Sequence, residues 1–255
     1  MDGTAGLVLP LASLEEEGDA GDPYRACQRA HGGIIRMDTT RSVVYLCFTG
    51  HEFGEGGGLI ADTLRAYGAP ASFFLTGDFY RDPRFRSLIH RLREDGHYLG
   101  AHSDRHLLYA AWEDRDSLLV SREVFEADIA GNLHAMAELG IPPDEARVFM
   151  PPYEWYNQAV ASWSTRMGLT LVNFTPGTWT NADYTVPEMG ERYRSSQTII
   201  DRLLQCEANG PSGLNGAILL MHVGTDPARV DKLYARLGEI LRLLRARGYE
   251  FARFF

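Results

Sequence analysis

The amino-acid sequence predicts a parallel α/β fold, and three features of the 255-residue chain indicate it. Short runs of β-branched and aromatic residues recur along the chain. Segments with a helical spacing of apolar residues separate these runs. Glycines stand shortly before several of the runs, where they suit helix ends. Such alternation is typical of parallel sheets, and a single α/β barrel of about 250 residues fits the length.

The predicted strands follow one another in this order: VVYLCF from Val43, ASFFLT from Ala71, HYLGAH from His97, RVFM from Arg147, LTLVNF from Leu169, GAILLMH from Gly216 and YEFARFF from Tyr249. The helical spacing is clearest in residues 117–139 and 227–247. The glycines expected at helix ends are Gly68, Gly96, Gly140, Gly168 and Gly248. About seven strands are therefore expected in one parallel sheet.

The sequence divides into two parts. Residues 1–38 are acidic and weakly periodic, and we expect them to form an N-terminal arm packed on the main domain. Residues 39–255 form the expected α/β domain. The N-terminus has neither the basic start nor the long apolar core of a signal peptide.

Composition excludes several classes of protein. The chain is 45% hydrophobic and 23% charged, which are the proportions of ordinary globular proteins rather than of fibrous or disordered ones. Its formal net charge of −9 argues against binding driven by the nucleic-acid backbone. No run approaches the roughly 20 apolar residues that a membrane span needs. We expect no nucleic-acid partner and no membrane span.

One segment, residues 174–195, interrupts the alternation of strands and helices because it has no clear period. A loop of this length in a compact domain is usually functional or disordered. Its aromatic residues Trp179, Tyr184 and Tyr193 argue against disorder. They suit stacking on a sugar ring or another flat ligand as well as they suit packing of the loop on the barrel, and the sequence leaves both open.

Residues with catalytic chemistry follow the predicted strands. The active site of a parallel α/β barrel lies at the carboxyl ends of its strands. Four of the 8 histidines fall there. The polar residues at these ends are His51 and Glu52 after the first strand, His102 and His106 after the third, Tyr153 and Glu154 after the fourth, Asn173 and Thr175 after the fifth, and His222 after the sixth.

The pair His102 and His106 predicts a metal site. Their spacing of four residues puts both imidazoles on one side of a helical turn, within reach of one ion. His51 or Glu52 could supply a third ligand. Three protein ligands leave positions open for water and substrate, as catalytic metal sites do. We therefore expect one divalent metal ion that acidifies its water and polarises a substrate carbonyl.

These residues resemble the NodB-type polysaccharide deacetylases, carbohydrate esterase family 4, from about residue 41 to the C-terminus. DGHYLGAHSDRH at residues 95–106 is similar to the family's second motif, whose last two histidines bind the metal. PPY at 151–153 resembles the third motif, in which the tyrosine backbone N–H helps form the oxyanion hole. LMH at 220–222 resembles the last motif, in which the histidine is the general acid and the leucine, here Leu220, lines the acetyl pocket. The resemblance implies a distorted (β/α)7 barrel of the NodB type.

The first motif departs from the family pattern. The family has two aspartates, a general base and a metal ligand, where this chain has Thr49 and Gly50. A shift of two residues puts His51 and Glu52 in their place, and both side chains can do the required chemistry. We expect Glu52 to be the metal ligand and His51 to be the base or an alternative ligand.

Two further departures concern the third and fourth motifs. Met150 replaces the arginine that orients the catalytic aspartate in the family, and a neutral histidine base would not favour a guanidinium neighbour. The acidic residue and tryptophan of the fourth motif are not visible at the fifth strand. The long loop offers Trp179 and Asp183 for the substrate site instead, and Asp183 or Asp226 could orient the imidazole of His222.

The resemblance implies a metal-dependent hydrolase that removes acetyl groups from an acetylated sugar or polysaccharide, as an ester or an amide. Metal held by His102, His106 and Glu52 (or His51) would activate water, and the metal and the Tyr153 amide would stabilise the oxyanion. His222 would protonate the leaving group. Zinc is the expected ion, with cobalt, nickel or manganese as alternatives.

Two other functions stay open. A catalytically degenerate domain that binds a glycan would explain the absent aspartate pair, and a NodB-like amidohydrolase could act on a non-sugar amide. The resemblance favours a periplasmic or secreted location, although the chain shows no signal peptide. Neither the oligomeric state nor the identity of the sugar is indicated by the sequence.

Overall fold

Strands and helices alternate along the chain as the sequence predicts. The computed structural model describes residues 24–255. The strands are β1 (Gln28–Ala30), β2 (Gly33–Arg36), β3 (Val43–Gly50), β4 (Ser72–Leu75), β5 (Tyr98–Ala101), β6 (Val148–Phe149), β7 (Thr170–Leu171), β8 (Ile218–His222) and β9 (Glu250–Ala252). The α-helices are α1 (Gly57–Tyr67), α2 (Gly77–Arg81), α3 (Arg86–Glu94), α4 (Arg122–Glu138), α5 (Gln158–Arg166), α6 (Ser196–Asn209) and α7 (Leu237–Arg245). Short 3-10 helices span Pro152–Glu154, Thr180–Tyr184, Pro187–Arg192 and Leu233–Arg236.

Strands β3 to β9 form one curled sheet in which every pairing is parallel. The strand order is β7-β6-β5-β4-β3-β8, and β9 pairs with the first residues of β3. These are the seven strands predicted from the sequence. The prediction of a distorted (β/α)7 barrel is therefore confirmed.

Strand β3 positions the first motif. It pairs with β4 along residues 47–50 and with β8 along residues 45–49. All but one of its residues are buried, which explains why it reads as an almost unbroken apolar run. The strand ends at Gly50, so His51 and Glu52 lie just beyond it.

Two layers of apolar side chains hold the barrel together. The larger cluster joins the outer face of the strands to the helices, for example Phe48 and Leu219 to Ile60 and Leu237. The smaller cluster contains no helix residue and fills the inside of the barrel: Ile34, Met37, Cys47, Phe74, Tyr98, Val148, Met150, Val172, Ile218, Leu220 and Phe254. Side chains along one strand alternate between these two layers.

The barrel is not closed by strand pairing between β7 and β8 within the described residues. Thr175, shortly after β7, connects the two sides instead. Its backbone N–H donates to the carbonyl of Ile218, and its hydroxyl oxygen accepts from the N–H of Ile218, both at 2.9 Å. The loop after β7 is thereby fixed to the start of β8.

The hairpin of β1 and β2 crosses the same opening. Strand β2 makes isolated bridges to Val172 on one side and to Ala217 on the other. Residues 24–38 of the predicted arm therefore pack against the barrel. Residues 1–23 lie outside the described residues, and the division into arm and domain stays a prediction.

The helix ends follow the expected chemistry, although two helices are shorter than predicted. The glycines expected at helix ends all have positive φ: Gly68 52°, Gly96 77°, Gly140 77°, Gly168 78° and Gly248 85°. Helix α4 begins at Arg122 rather than at residue 117 because the Ser121 hydroxyl accepts a hydrogen bond from Val124 N–H. No helix within residues 24–255 is long and apolar enough to cross a membrane.

The segment before α7 is held as a loop by Arg229. Its buried guanidinium donates to the carbonyl oxygens of Thr185, at 2.5 Å, and Arg194, at 3.0 Å. These contacts join residues 227–232 to the long loop and prevent the helix predicted over 227–247 from starting there. They also fix the loop that carries Asp183.

Candidate active site

A cavity of about 340 Å³ opens at the carboxyl ends of the strands. The four histidines that follow predicted strands all line it. Its wall consists of Thr49, Gly50, His51, Glu52, Phe53, His102, His106, Trp112, Tyr153, Glu154, Tyr184, His222 and Gly224. Residues far apart in sequence thus meet at the end of the barrel where α/β enzymes carry their chemistry.

The period of two along each strand explains part of this convergence. Cys47 and Leu220 belong to the cluster inside the barrel. Thr49 and His222 follow two residues later on the same strands, so their side chains continue the inner face upward into the cavity. Leu220 itself is fully buried and is not part of the cavity wall. Its predicted contact with the acetyl group stays a prediction.

His102 is held in one orientation. Its Nδ1 lies 2.8 Å from the carbonyl oxygen of Met150, and its backbone N–H donates to Asn132 Oδ1 at 2.8 Å. Proteins orient metal-binding imidazoles in this way, with one ring nitrogen bound to a carbonyl and the other free. Burial lowers the pKa of His102 to about 3, so the ring is neutral at pH 7.

His51 and His106 lie against each other in the same cavity. Their rings are stacked with centroids 4.7 Å apart and planes 7° apart, and His51 Nδ1 lies 3.2 Å from Thr76 Oγ1. The His106 ring is 5.1 Å from that of His102. Burial, together with His102 and His51, lowers the pKa of His106 to about 2. The cavity therefore holds His102 and His106 as neutral imidazoles in close contact.

The imidazole nitrogens of these residues are suitable ligands for a divalent metal ion, although the rings do not point to one common position. Neutral imidazole is the form that binds metals. However, across residues 24–255 no three His, Cys, Asp or Glu side chains are arranged to hold one ion. The lone pairs of imidazole lie in the ring plane, so the parallel rings of His51 and His106 cannot meet at one point until one ring turns. Glu52, the other predicted ligand, is exposed at the cavity wall.

The surroundings of His222 act on its pKa in the opposite direction to those of His102 and His106. Its Nδ1 lies 2.6 Å from Oδ1 of Asp183, and its backbone N–H donates to Oδ2 of the same carboxylate at 2.9 Å. Asp183 is 1% exposed. Burial acts to lower the pKa of His222, but the carboxylates of Asp183 and then Glu154 outweigh it and raise this pKa. His222 therefore tends to keep its proton.

Tyr153 and Glu154 lie at the cavity in an unusual backbone conformation. Both have positive φ, 57° and 53°, which is rare for residues other than glycine. The Tyr153 ring packs edge-on against His106 with centroids 4.4 Å apart. Burial, and then Asp183, raise the pKa of Glu154 to about 7, while His222 acts to lower it. The sequence places Glu154 at a strand end but assigns it no role.

Of the loop aromatics named from the sequence, Tyr184 lines the cavity, whereas Trp179 and Tyr193 do not. Trp179 is not part of the cavity wall, because its ring lies beneath the guanidinium groups of Arg194 and Arg202, at 4.8 and 5.3 Å. Trp112 and Tyr184 do line the cavity, and they are 52% and 49% exposed. Trp112 comes from the irregular segment between β5 and α4, so it does not directly follow a strand.

The two positions of the absent aspartates have different surroundings. The Thr49 hydroxyl is buried at the cavity, and it has no hydrogen-bond partner among the described residues. A Cβ at Gly50 would lie 2.8 Å from Leu75 Cδ2 and 3.1 Å from the Phe79 ring. A side chain at position 50 would therefore press into the core. Asp226, the other candidate to orient His222, is exposed and caps a turn at Ala228 N–H.

Together, the fold and the cavity define a parallel α/β-barrel protein with a histidine-rich site at its strand ends. A family model described as polysaccharide deacetylase matches residues 36–172, more than half of the chain. The chain belongs to the polysaccharide deacetylase family.

Individual relatives agree with this membership. The chitooligosaccharide deacetylase of Sinorhizobium fredii is 26% identical over 226 residues, which cover 85% of this chain and 92% of that protein. A solved peptidoglycan N-acetylglucosamine deacetylase has a TM-score of 0.68 at 18% identity, over 88% of this chain and 91% of that one. A wild-type carbohydrate esterase family 4 pseudoenzyme from Bacillus anthracis has a TM-score of 0.67 at 16% identity, over 88% of this chain and 68% of that one. At such identities, structural likeness shows the fold alone.

Proposed function

We propose that this protein is a metal-dependent deacetylase that hydrolyses the acetyl ester or amide of a sugar. The observation that carries the proposal is the pairing of His222 with buried Asp183 on the cavity that His102 and His106 also line. An imidazole with a raised pKa supplies a proton, and neutral imidazoles supply metal ligands. Metal-dependent deacetylation needs both a proton donor for the leaving group and ligands for the ion.

His102 and His106 would hold the ion, with His51 or Glu52 as the third ligand. A bound divalent ion supplies an activated water and polarises the acetyl carbonyl. We expect zinc, with cobalt, nickel or manganese as alternatives. The His102 ring is already fixed by Met150, whereas His51 or His106 has to turn on loading.

His222 performs the proton donation to the leaving nitrogen or oxygen. Its hydrogen bond to Asp183 fixes the ring so that Nε2 carries the transferable proton. The backbone N–H of Tyr153 would stabilise the oxyanion, as the family resemblance implies. The exposed rings of Trp112 and Tyr184 suit the apolar face of a sugar at the cavity entrance.

A second function is favoured by Thr49 and Gly50, which replace the family's aspartates. The chain would then bind a glycan without hydrolysing it. The fold that it shares with the pseudoenzyme from Bacillus anthracis is compatible with this alternative.

Metal content and acetate release of the purified protein test the proposal. The wild type, His102→Ala and the control His134→Ala, which changes an exposed helix residue, are loaded with zinc, cobalt, nickel or manganese. We expect about one ion per chain in the wild type and the control, none in His102→Ala, and acetate release from N-acetylglucosamine oligosaccharides or acetylated xylan only where metal is bound. Glycan binding without acetate release under any metal would favour the second function.

A further inference from the structure

We infer that Glu154 is the catalytic base of this site, which accepts the proton of the attacking water. This inference rests on the proposed deacetylase function. It assigns the step for which the family's first motif supplies an aspartate, and for which the sequence alone suggested His51.

The need for another base follows from the first motif. Thr49 has no basic group, and Gly50 has no side chain. His51 is engaged on both sides, since its Nδ1 lies 3.2 Å from Thr76 Oγ1 and its ring is stacked on His106. The carboxylates in the cavity wall are those of Glu52 and Glu154, and Glu52 is exposed.

The carboxylate of Glu154 is available for this role. It lines the cavity and makes no hydrogen bond or ion pair with any residue of the described chain. Charged oxygens in partly buried places are normally satisfied by donors. A water at the cavity would give this carboxylate the donor that it lacks.

The backbone holds Glu154 in place on both sides. Its N–H donates to the carbonyl of Pro151 at 3.1 Å, and its own carbonyl accepts from Asn173 Nδ2 at 2.8 Å. These bonds maintain a φ of 53°, a conformation in which side chains are disfavoured. Such strained residues cluster at functional sites. Here the two backbone hydrogen bonds hold the residue at the cavity wall.

Electrostatics suit proton transfer near neutral pH. Burial raises the pKa of Glu154 to about 7, where a base can both accept and return a proton. The titratable groups that share the cavity with it are His51, Glu52, His102, His106, Tyr153, Tyr184 and His222. Asp183 lies behind His222 and acts on both titrations.

The protons balance in one turnover. Water oxygen attacks the acetyl carbon while one water proton passes to Glu154. The bond from that carbon to the sugar nitrogen or oxygen then breaks, and the leaving atom takes the proton of His222. The products are acetic acid, which releases its proton to solvent and becomes acetate, and the free amine or hydroxyl. A proton returns from Glu154 to His222 through solvent and resets the pair.

The test separates the base from the acid by giving the zinc-loaded protein two substrates. Hydrolysis of 4-nitrophenyl acetate needs a base but no acid, because nitrophenolate leaves unprotonated, whereas an N-acetylglucosamine oligosaccharide needs both. We expect Glu154→Gln to lower kcat about 100- to 10,000-fold on both substrates. His222→Gln should lower it on the oligosaccharide alone. The exposed Glu188→Gln serves as the matched control and should match the wild type.

Two readouts distinguish a base from a structural residue. In the wild type, kcat/KM should rise with pH through about 7, and this limb should vanish in Glu154→Gln. Infrared difference spectra should show a carboxyl group titrating in the same range in the wild type and not in the variant. Zinc content and circular dichroism should not change.

Different failures have different meanings. If the wild type is active and Glu154→Gln keeps its kcat and its acidic limb, the role of Glu154 is overturned and the deacetylase function stands. If the wild type hydrolyses neither substrate with any of the four metals, the deacetylase function is overturned, and the base role with it.

Discussion

Asp183 binds His222 at two atoms, with one carboxylate oxygen 2.6 Å from Nδ1 and the other accepting the backbone N–H at 2.9 Å. Asp183 belongs to the long loop after β7, and His222 is the last residue of β8. Arg229 anchors this loop at the carbonyl of Thr185, two residues after Asp183, and so supports the position of the carboxylate beside the imidazole. The loop thus orients the imidazole that we propose as the general acid.

This contact predicts the effect of Asp183→Asn. The variant removes the negative charge that raises the pKa of His222, so this pKa should fall. Since His222 must be protonated to donate, the alkaline limb of the kcat/KM profile should move to lower pH, and kcat should fall by about 100-fold or more. Asp226→Asn, in an exposed turn, is the control. An unchanged alkaline limb in Asp183→Asn would show that His222 is not the acid.

The positions of Trp112 and Trp179 lead to a prediction of where the sugar binds, since only Trp112 lines the cavity. Trp112→Ala should raise KM about 2- to 12-fold with little change in kcat, since one aromatic contact is worth about 0.5–1.5 kcal/mol. Trp179→Ala should leave KM unchanged, because that ring lies against Arg194 and Arg202. Steady-state kinetics on one oligosaccharide compare the two. A larger effect at Trp179 would place the sugar on the loop, as the sequence suggested.

The strands could be predicted from the sequence because parallel strands are buried on both faces. The runs VVYLCF and GAILLMH read as continuous apolar segments for this reason, and they became β3 and β8. Helix ends were less predictable. The start of α7 depends on buried Arg229, which contacts a loop more than 30 residues away along the chain. A contact of that kind leaves no local pattern.

The histidines of the site could be predicted, since each follows a strand end. The role that we propose for Glu154 could not be predicted, because it depends on a positive φ and on burial, and neither is encoded in residue type. Trp112 was missed for a different reason. It reaches the cavity from an irregular segment, whereas Trp179, in the long loop after β7, packs against Arg194 and Arg202.

The surroundings of Gly50 predict that an aspartate cannot simply be restored there. Gly50→Asp should lower the free energy of unfolding by about 1–3 kcal/mol, because its Cβ would lie 2.8 Å from buried Leu75. It should add no metal. Gly58→Asp is the matched control, since nothing lies within 4 Å of a Cβ there. Urea unfolding and metal analysis check both. A Gly50→Asp variant of unchanged stability with tighter metal binding would show that position 50 faces the site.

The strain at Glu154 predicts a gain of stability from removing the proposed base. Glu154→Gly relieves the positive φ, which costs a side-chain residue about 1–2 kcal/mol, while glycine loses about 0.5–1 kcal/mol through its freer unfolded chain. At pH 4, where Glu154 carries no charge in the folded protein, the net gain should therefore be below about 1.5 kcal/mol, which raises Tm by up to about 6 °C in a chain of this size.

The pH dependence separates strain from charge. The pKa of Glu154 is about 7 in the folded protein, whereas its ordinary value is 4.5. Between pH 4.5 and 7 the folded wild type therefore binds more protons than the unfolded chain, so its free energy of unfolding falls as the pH rises through this range. Glu154→Gly should therefore gain more at pH 8 than at pH 4. Glu154→Gln, which keeps the strain and removes the charge, should gain only at pH 8. Calorimetry at both pH values decides, and a Glu154→Gly variant less stable than wild type at both would contradict a strained, charged Glu154.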